Sequence, residues 1–75
     1  MSGNTRIKSL GTTVRYEAIQ QVRWSWREGD TCHDAVARAT YGAKPGTVRE
    51  IVRDYIDSLS WEAYNRFCNE AKRKY

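Results

Sequence analysis

The apolar positions between Val48 and Leu59 recur at steps of three and four. Val48, Ile51, Val52, Tyr55, Ile56 and Leu59 alternate with Arg49, Glu50, Arg53, Asp54 and Asp57. That spacing lays the apolar set along one side of an α-helix and the charges along the other. A shorter stretch repeats the pattern with Cys32, Ala35, Val36 and Ala39. Upstream, Val14, Ala18, Ile19, Val22 and Trp26 share the inner face of a helix predicted from about Thr13 to Glu28, and Tyr16 and Trp24 point away from that face. Downstream, Trp61, Tyr64, Cys68, Ala71 and Tyr75 form a heptad-like seam. Two heptads are too few for a coiled coil, so the segment predicts a core helix running to the C-terminus.

Start and stop signals set the boundaries. Thr12 or Thr13 is the expected N-cap of the first helix, with Gly29 as its stop. Asp30-Thr31 offers side-chain oxygens to the free amides of a second helix, expected from Thr31 to Tyr41. Gly42 supplies a left-handed position to end it, and Lys44 is pushed out of helical geometry by Pro45. Gly46 or Thr47 caps the third helix, which ends near Ser58, and Ser60 caps the fourth. Residues 1–12 are small and polar, with Gly3 and Gly11, and predict a flexible arm; a short strand over Arg6-Ile7-Lys8 is the alternative. The expected fold is therefore all-α: a flexible N-terminal arm over residues 1–12 and a single helical domain over 13–75, a compact bundle of about four helices.

Composition bounds this picture without changing it. Seventy-five residues with 40% hydrophobic content sit near the lower end of what one core holds together unaided. Three Trp, five Tyr and one Phe fill core volume with few residues, or serve a binding surface. No apolar run approaches the ~18 residues of a membrane span, and no charged-then-apolar leader opens the chain, so a cytoplasmic protein is expected. Cys32 and Cys68 are too few for a disulfide framework; in a reducing compartment they are expected as buried, unpaired thiols.

Charge narrows the partners. The net charge of +4 and a sequence pI of about 9.3 suit a polyanion. The excess lies at the ends: residues 1–30 carry five basic and three acidic groups, and residues 60–75 carry four and two. Residues 31–59 are balanced, with Arg38, Lys44, Arg49 and Arg53 against Asp34, Glu50, Asp54 and Asp57.

Val36-Ala37-Arg38, a glycine turn and Thr47-Val48-Arg49-Glu50-Ile51-Val52 together resemble the bihelical unit of small bacterial and phage helix-turn-helix regulators. The likeness covers about 23 residues, Val36 to Ser58, with Ala37, Gly42 and Val48 in the roles that let two helices pack closely. Gly42 stands five residues after Ala37, where that family has four. The resemblance implies a regulator of transcription that binds double-stranded DNA, as a homodimer. Thr47, Arg49, Glu50 and Arg53 would face base edges, with Lys44 near a phosphate. Lys72, Arg73 and Lys74 would add phosphate contacts from the basic C-terminal end. The same residues also fit an ordinary solvated face, since Glu50–Arg53 and Arg53–Asp57 stand at helical ion-pair spacing. Arg27 to Val36 is also similar to the inter-helix turn of ribbon-helix-helix repressors, which would make Arg6 and Lys8 strand-borne readers.

The rival expectation is a small phage-type inhibitor that blocks a host protein, as anti-CRISPR and other host-takeover proteins do, with Tyr16 and Trp24 as exposed anchors. No enzyme is expected, for want of a nucleophile with a base, an acid–base pair or a phosphate loop. Cys32, His33 and Cys68 lack the paired spacing of a metal site, so neither metal nor cofactor is expected.

Overall fold

The computed structural model describes the backbone of residues 3–73 and the side chains of residues 14–73. Four helices follow in order: α1 (Gly3–Ser25), α2 (Cys32–Thr40), α3 (Val48–Asp57) and α4 (Trp61–Lys72). The all-α bundle expected from the periodicity is the fold. α1, the longest, packs against each of the other three, and α2 packs against α3.

α1 begins ten residues before the expected Thr13 start, so the segment read as an arm is helical from Gly3 onward. Thr12 and Thr13 lie inside the helix, as do Arg6 and Lys8. A lone glycine in a helix costs only about 1 kcal/mol, and Gly11 does not break this one. No strand occurs among the described residues, which removes the paired ribbon of the ribbon-helix-helix alternative.

The other three starts follow their caps. Thr31 Oγ1 accepts the Asp34 amide at 3.1 Å while Asp34 accepts the Thr31 amide at 3.1 Å, a reciprocal capping box. Thr47 accepts from the Glu50 amide and Ser60 from the Ala63 amide, each at 3.2 Å. α1 stops at Ser25 rather than near Glu28, and Gly29 takes a positive φ of 89° in the turn that follows.

The core consists of Ala18, Ile19 and Val22 of α1, Ala35 and Ala39 of α2, Val52 and Ile56 of α3, and Phe67 and Ala71 of α4. Trp26, Val36, Tyr55, Leu59 and Tyr64 close over it. The α3 face is narrower than its periodicity implies: Val52 and Ile56 are buried, whereas Val48 and Ile51 remain 54% and 48% exposed. In α4 the largest buried side chain is Phe67, which lies off the expected seam and meets the Tyr55 ring edge-on at 6.3 Å.

Cys32 and Cys68 form a disulfide with Cα atoms 5.8 Å apart, against the expectation of free thiols. Both are half-buried. Two cysteines are too few to read as a framework, yet bundle closure brings the first turn of α2 beside the middle of α4. The bond fastens α4 to a helix it otherwise touches little.

Candidate functional site

The residues expected to read DNA share the N-terminal half of α3 and the turn before it, where most have local partners. Thr47 Oγ1 donates to the Lys44 carbonyl at 2.6 Å besides capping α3. Glu50 accepts the Gly46 amide at 2.7 Å. Arg49 donates to the Tyr41 carbonyl at 3.1 Å. Arg53 pairs with Asp54 at 3.1 Å and with Glu50 at 3.7 Å. These bonds lie on the surface and hold the turn and the helix start in place.

α2 and α3 are joined by the seven residues 41–47, longer than the three or four of a tight helix-turn-helix. Ala37 and Val48, which the resemblance places at the close approach, are both exposed. The buried residues of this pair are Ala35, Ala39, Val52 and Ile56.

Two arginines, Arg38 and Arg23, reach the ends of neighbouring helices for a common reason. Helix C-termini leave carbonyl oxygens without partners and carry the negative end of the dipole. Arg38 of α2 donates to the Ser25 carbonyl at the end of α1, at 2.9 Å, and to the Asp30 carboxylate. Arg23 of α1 donates to the Glu70 and Ala71 carbonyls near the end of α4, at 3.0 and 3.4 Å. Arg15 pairs with the Glu70 carboxylate. The Arg15 hydrogen bond holds Glu70 below the usual carboxylate range. Asp30 is held low chiefly by the Arg27 amide, at 2.9 Å, and then by Arg38. Lys44, Arg66, Lys72 and Arg73 are exposed and enter no ion pair among the described residues. The unspent positive charge therefore concentrates on α4 more than on α3. Lys74 lies outside the described residues.

The aromatic residues separate into two sets. Trp24 and Trp26 are two positions apart and so project in opposite directions. Trp26 folds back past the end of α1 and donates its indole N–H to the Asp30 carbonyl at 3.1 Å. Trp24 stays 72% exposed and Tyr16 63% exposed, in keeping with their places off the inner face of α1. With Gln20 they stand at steps of four, on the side of α1 opposite Ala18 and Val22. Gln20 donates to the Tyr16 hydroxyl at 2.8 Å, which fixes the phenol along the helix. Two further rings among the described residues are exposed: Tyr41, 81%, at the end of α2, and Trp61, 75%, which the heptad-like seam assigns to the core and which stacks on Tyr64 with centroids 6.1 Å apart.

Among the described residues no three His, Cys, Asp or Glu side chains converge on a metal position, and the two sulfurs are bonded to each other. No helix among them is long and apolar enough to cross a membrane. No family model, curated protein or solved structure matches the chain.

Proposed function

We propose that this chain is a small interaction protein that binds another protein through the outer face of α1. The observation that carries the reading is the pair Tyr16 and Trp24, two large rings exposed two turns apart on a helix whose opposite side is core. Exposed Trp and Tyr supply apolar area at a small entropic cost and are the residue types that dominate binding energy at protein interfaces. Gln20 between them adds a polar group whose hydrogen bond to Tyr16 pre-orders the patch.

The activity is binding, with no bond made or broken; a host enzyme or nucleic-acid complex is the partner class. Capture of candidate partners by immobilised protein tests it. Trp24→Ala should reduce capture by at least about thirtyfold, the effect of losing a 2 kcal/mol anchor, with the fold intact by circular dichroism. Undiminished capture by the Tyr16→Ala/Trp24→Ala double variant would refute the reading.

A second reading, a helix-turn-helix type regulator binding duplex DNA as a homodimer, draws support from the exposed cations Lys44, Arg66, Lys72 and Arg73. Cytoplasmic residence fits both readings, though the Cys32–Cys68 bond belongs to the chemistry of oxidising compartments.

A further inference from the structure

A groove to which α1 contributes no lining residue is formed by His33 and Val36 of α2, Ile56 and Asp57 of α3, Leu59 of the following turn, and Trp61 and Tyr64 of α4. Its three kinds of wall point to one ligand chemistry.

The first wall is aromatic. Tyr64 is anchored against the core, and burial pushes its phenol pKa up, so the ring is neutral at any physiological pH. Trp61 stacks on it and leaves its own ring largely open to solvent. Indole is the ring whose face attracts a cation most strongly.

The second wall is anionic. Asp57 is the last residue of α3, exposed, and paired with no cation among the described residues. It lies at the negative end of the helix dipole, and the last turn of α3 contains no basic residue to offset it. A carboxylate placed there is unfavourable until a cation arrives. No Lys or Arg lines the groove.

The third wall is aliphatic, from Val36, Ile56 and Leu59. It suits the methylene stem of a long cationic side chain, which can lie on apolar surface while its charged end reaches a carboxylate.

We infer that this groove binds an arginine side chain presented by a partner protein, its guanidinium between the Trp61 ring and the Asp57 carboxylate. Guanidinium is planar, weakly hydrated and able to stack on indole while donating two parallel hydrogen bonds to a carboxylate. Ammonium lacks the plane and the fork, so arginine is preferred over lysine. The groove belongs to α2, α3 and α4, whereas Tyr16 and Trp24 belong to α1, so this inference stands or falls separately from the α1 reading.

The test is an NMR titration of the intact, oxidised chain with N-acetyl-arginine amide, following the Trp61 indole N–H and the amides from Asp57 to Tyr64. N-acetyl-lysine amide and N-acetyl-norleucine amide serve as the matched cation and the matched apolar stem. Saturable shifts are expected with the arginine derivative, at least about fivefold weaker binding with the other two, and a similar weakening in Asp57→Asn and in Trp61→Ala. Both residues are exposed, so neither change should unfold the chain; the amide spectrum of Asp57→Asn supplies the control should Trp61→Ala prove unstable. Equal binding of the norleucine derivative would make the groove a simple apolar contact. Unchanged arginine binding in Asp57→Asn, or no shifts at all, would overturn the inference.

Discussion

Cys32 in the first turn of α2 is bonded to Cys68 in α4, across 36 residues of chain. α4 packs chiefly on α1, so this bond is the cross-link that ties α4 directly to α2. A cross-link of that span removes unfolded-state entropy worth about 4 kcal/mol in the loop-closure account. In a chain this small, that approaches the whole stability a single core supplies. Urea melts with and without reductant should therefore differ by several kcal/mol. A difference under about 1 kcal/mol would mean that α4 is held by packing alone. Alkylation of thiols in cells quenched with acid would report whether the bond is present there.

The two neighbours Ile51 and Val52 should behave oppositely. Val52 is wholly buried and Ile51 about half exposed, though periodicity assigns both to one apolar face. Val52→Ala should destabilise the chain by about 1–3 kcal/mol through lost transfer energy and a residual cavity. Ile51→Ala should cost about 1 kcal/mol or less. Equal losses in denaturant melts would place the core line of α3 elsewhere.

Periodicity locates the four helices and most of the core because a buried face needs apolar side chains at helical steps. It identifies Ala18, Val22, Ala35 and Val52 without ambiguity. It cannot set how far a helix rolls about its axis, and the roll of α3 leaves Val48 and Ile51 in solvent. It also misses Phe67, whose burial depends on which face of α4 meets α1. Cap chemistry is local, so Thr31, Thr47 and Ser60 are legible in the sequence; the extension of α1 to Gly3 has no such signal. The partners of Arg15, Arg23 and Arg38 are tens of residues away or lie across a turn, and charge counting treats all three as available for a polyanion. Tyr16 and Trp24 are legible as surface rings because they fall opposite the inner face of α1.

Acid should loosen the arginine clamps. Asp30 and Glu70 titrate lower in the fold than in the unfolded chain, Asp30 because of the Arg27 amide and Arg38, Glu70 because of Arg15. Between the folded and unfolded values the unfolded chain binds more protons, so stability rises with pH there. The contribution is complete above the unfolded carboxylate range near about pH 4 and is lost as pH falls through the folded values. Glu70 is about half exposed and the arginine partners of both carboxylates reach solvent, so the effect is modest. Asp30→Asn and Glu70→Gln should lower the melting temperature at pH 6 and narrow its drop between pH 6 and pH 3. A drop as large as that of the unaltered chain would assign the acid sensitivity to other carboxylates.

Duplex binding is the outcome that separates the two functional readings. Counterion release gives a salt slope in proportion to the phosphates neutralised, and only cations free to leave their protein partners neutralise them without loss. Lys44, Arg66, Lys72 and Arg73 are exposed and unpaired among the described residues, whereas Arg49 and Arg53 donate to Tyr41, Glu50 and Asp54. With α1 as the binding face, affinity for duplex DNA should be weak, indifferent to sequence, and lost between 50 and 200 mM salt. Lys72→Ala and Arg73→Ala should each flatten the salt slope by about 1, and Arg49→Ala and Arg53→Ala should leave it unchanged. A sequence-selective complex that survives the higher salt and loses about 1–3 kcal/mol with Arg49→Ala or Arg53→Ala would instead establish α3 as a recognition helix. Its surface bonds to Tyr41, Glu50 and Asp54 would then be those of the unbound protein, exchanged for base edges on docking.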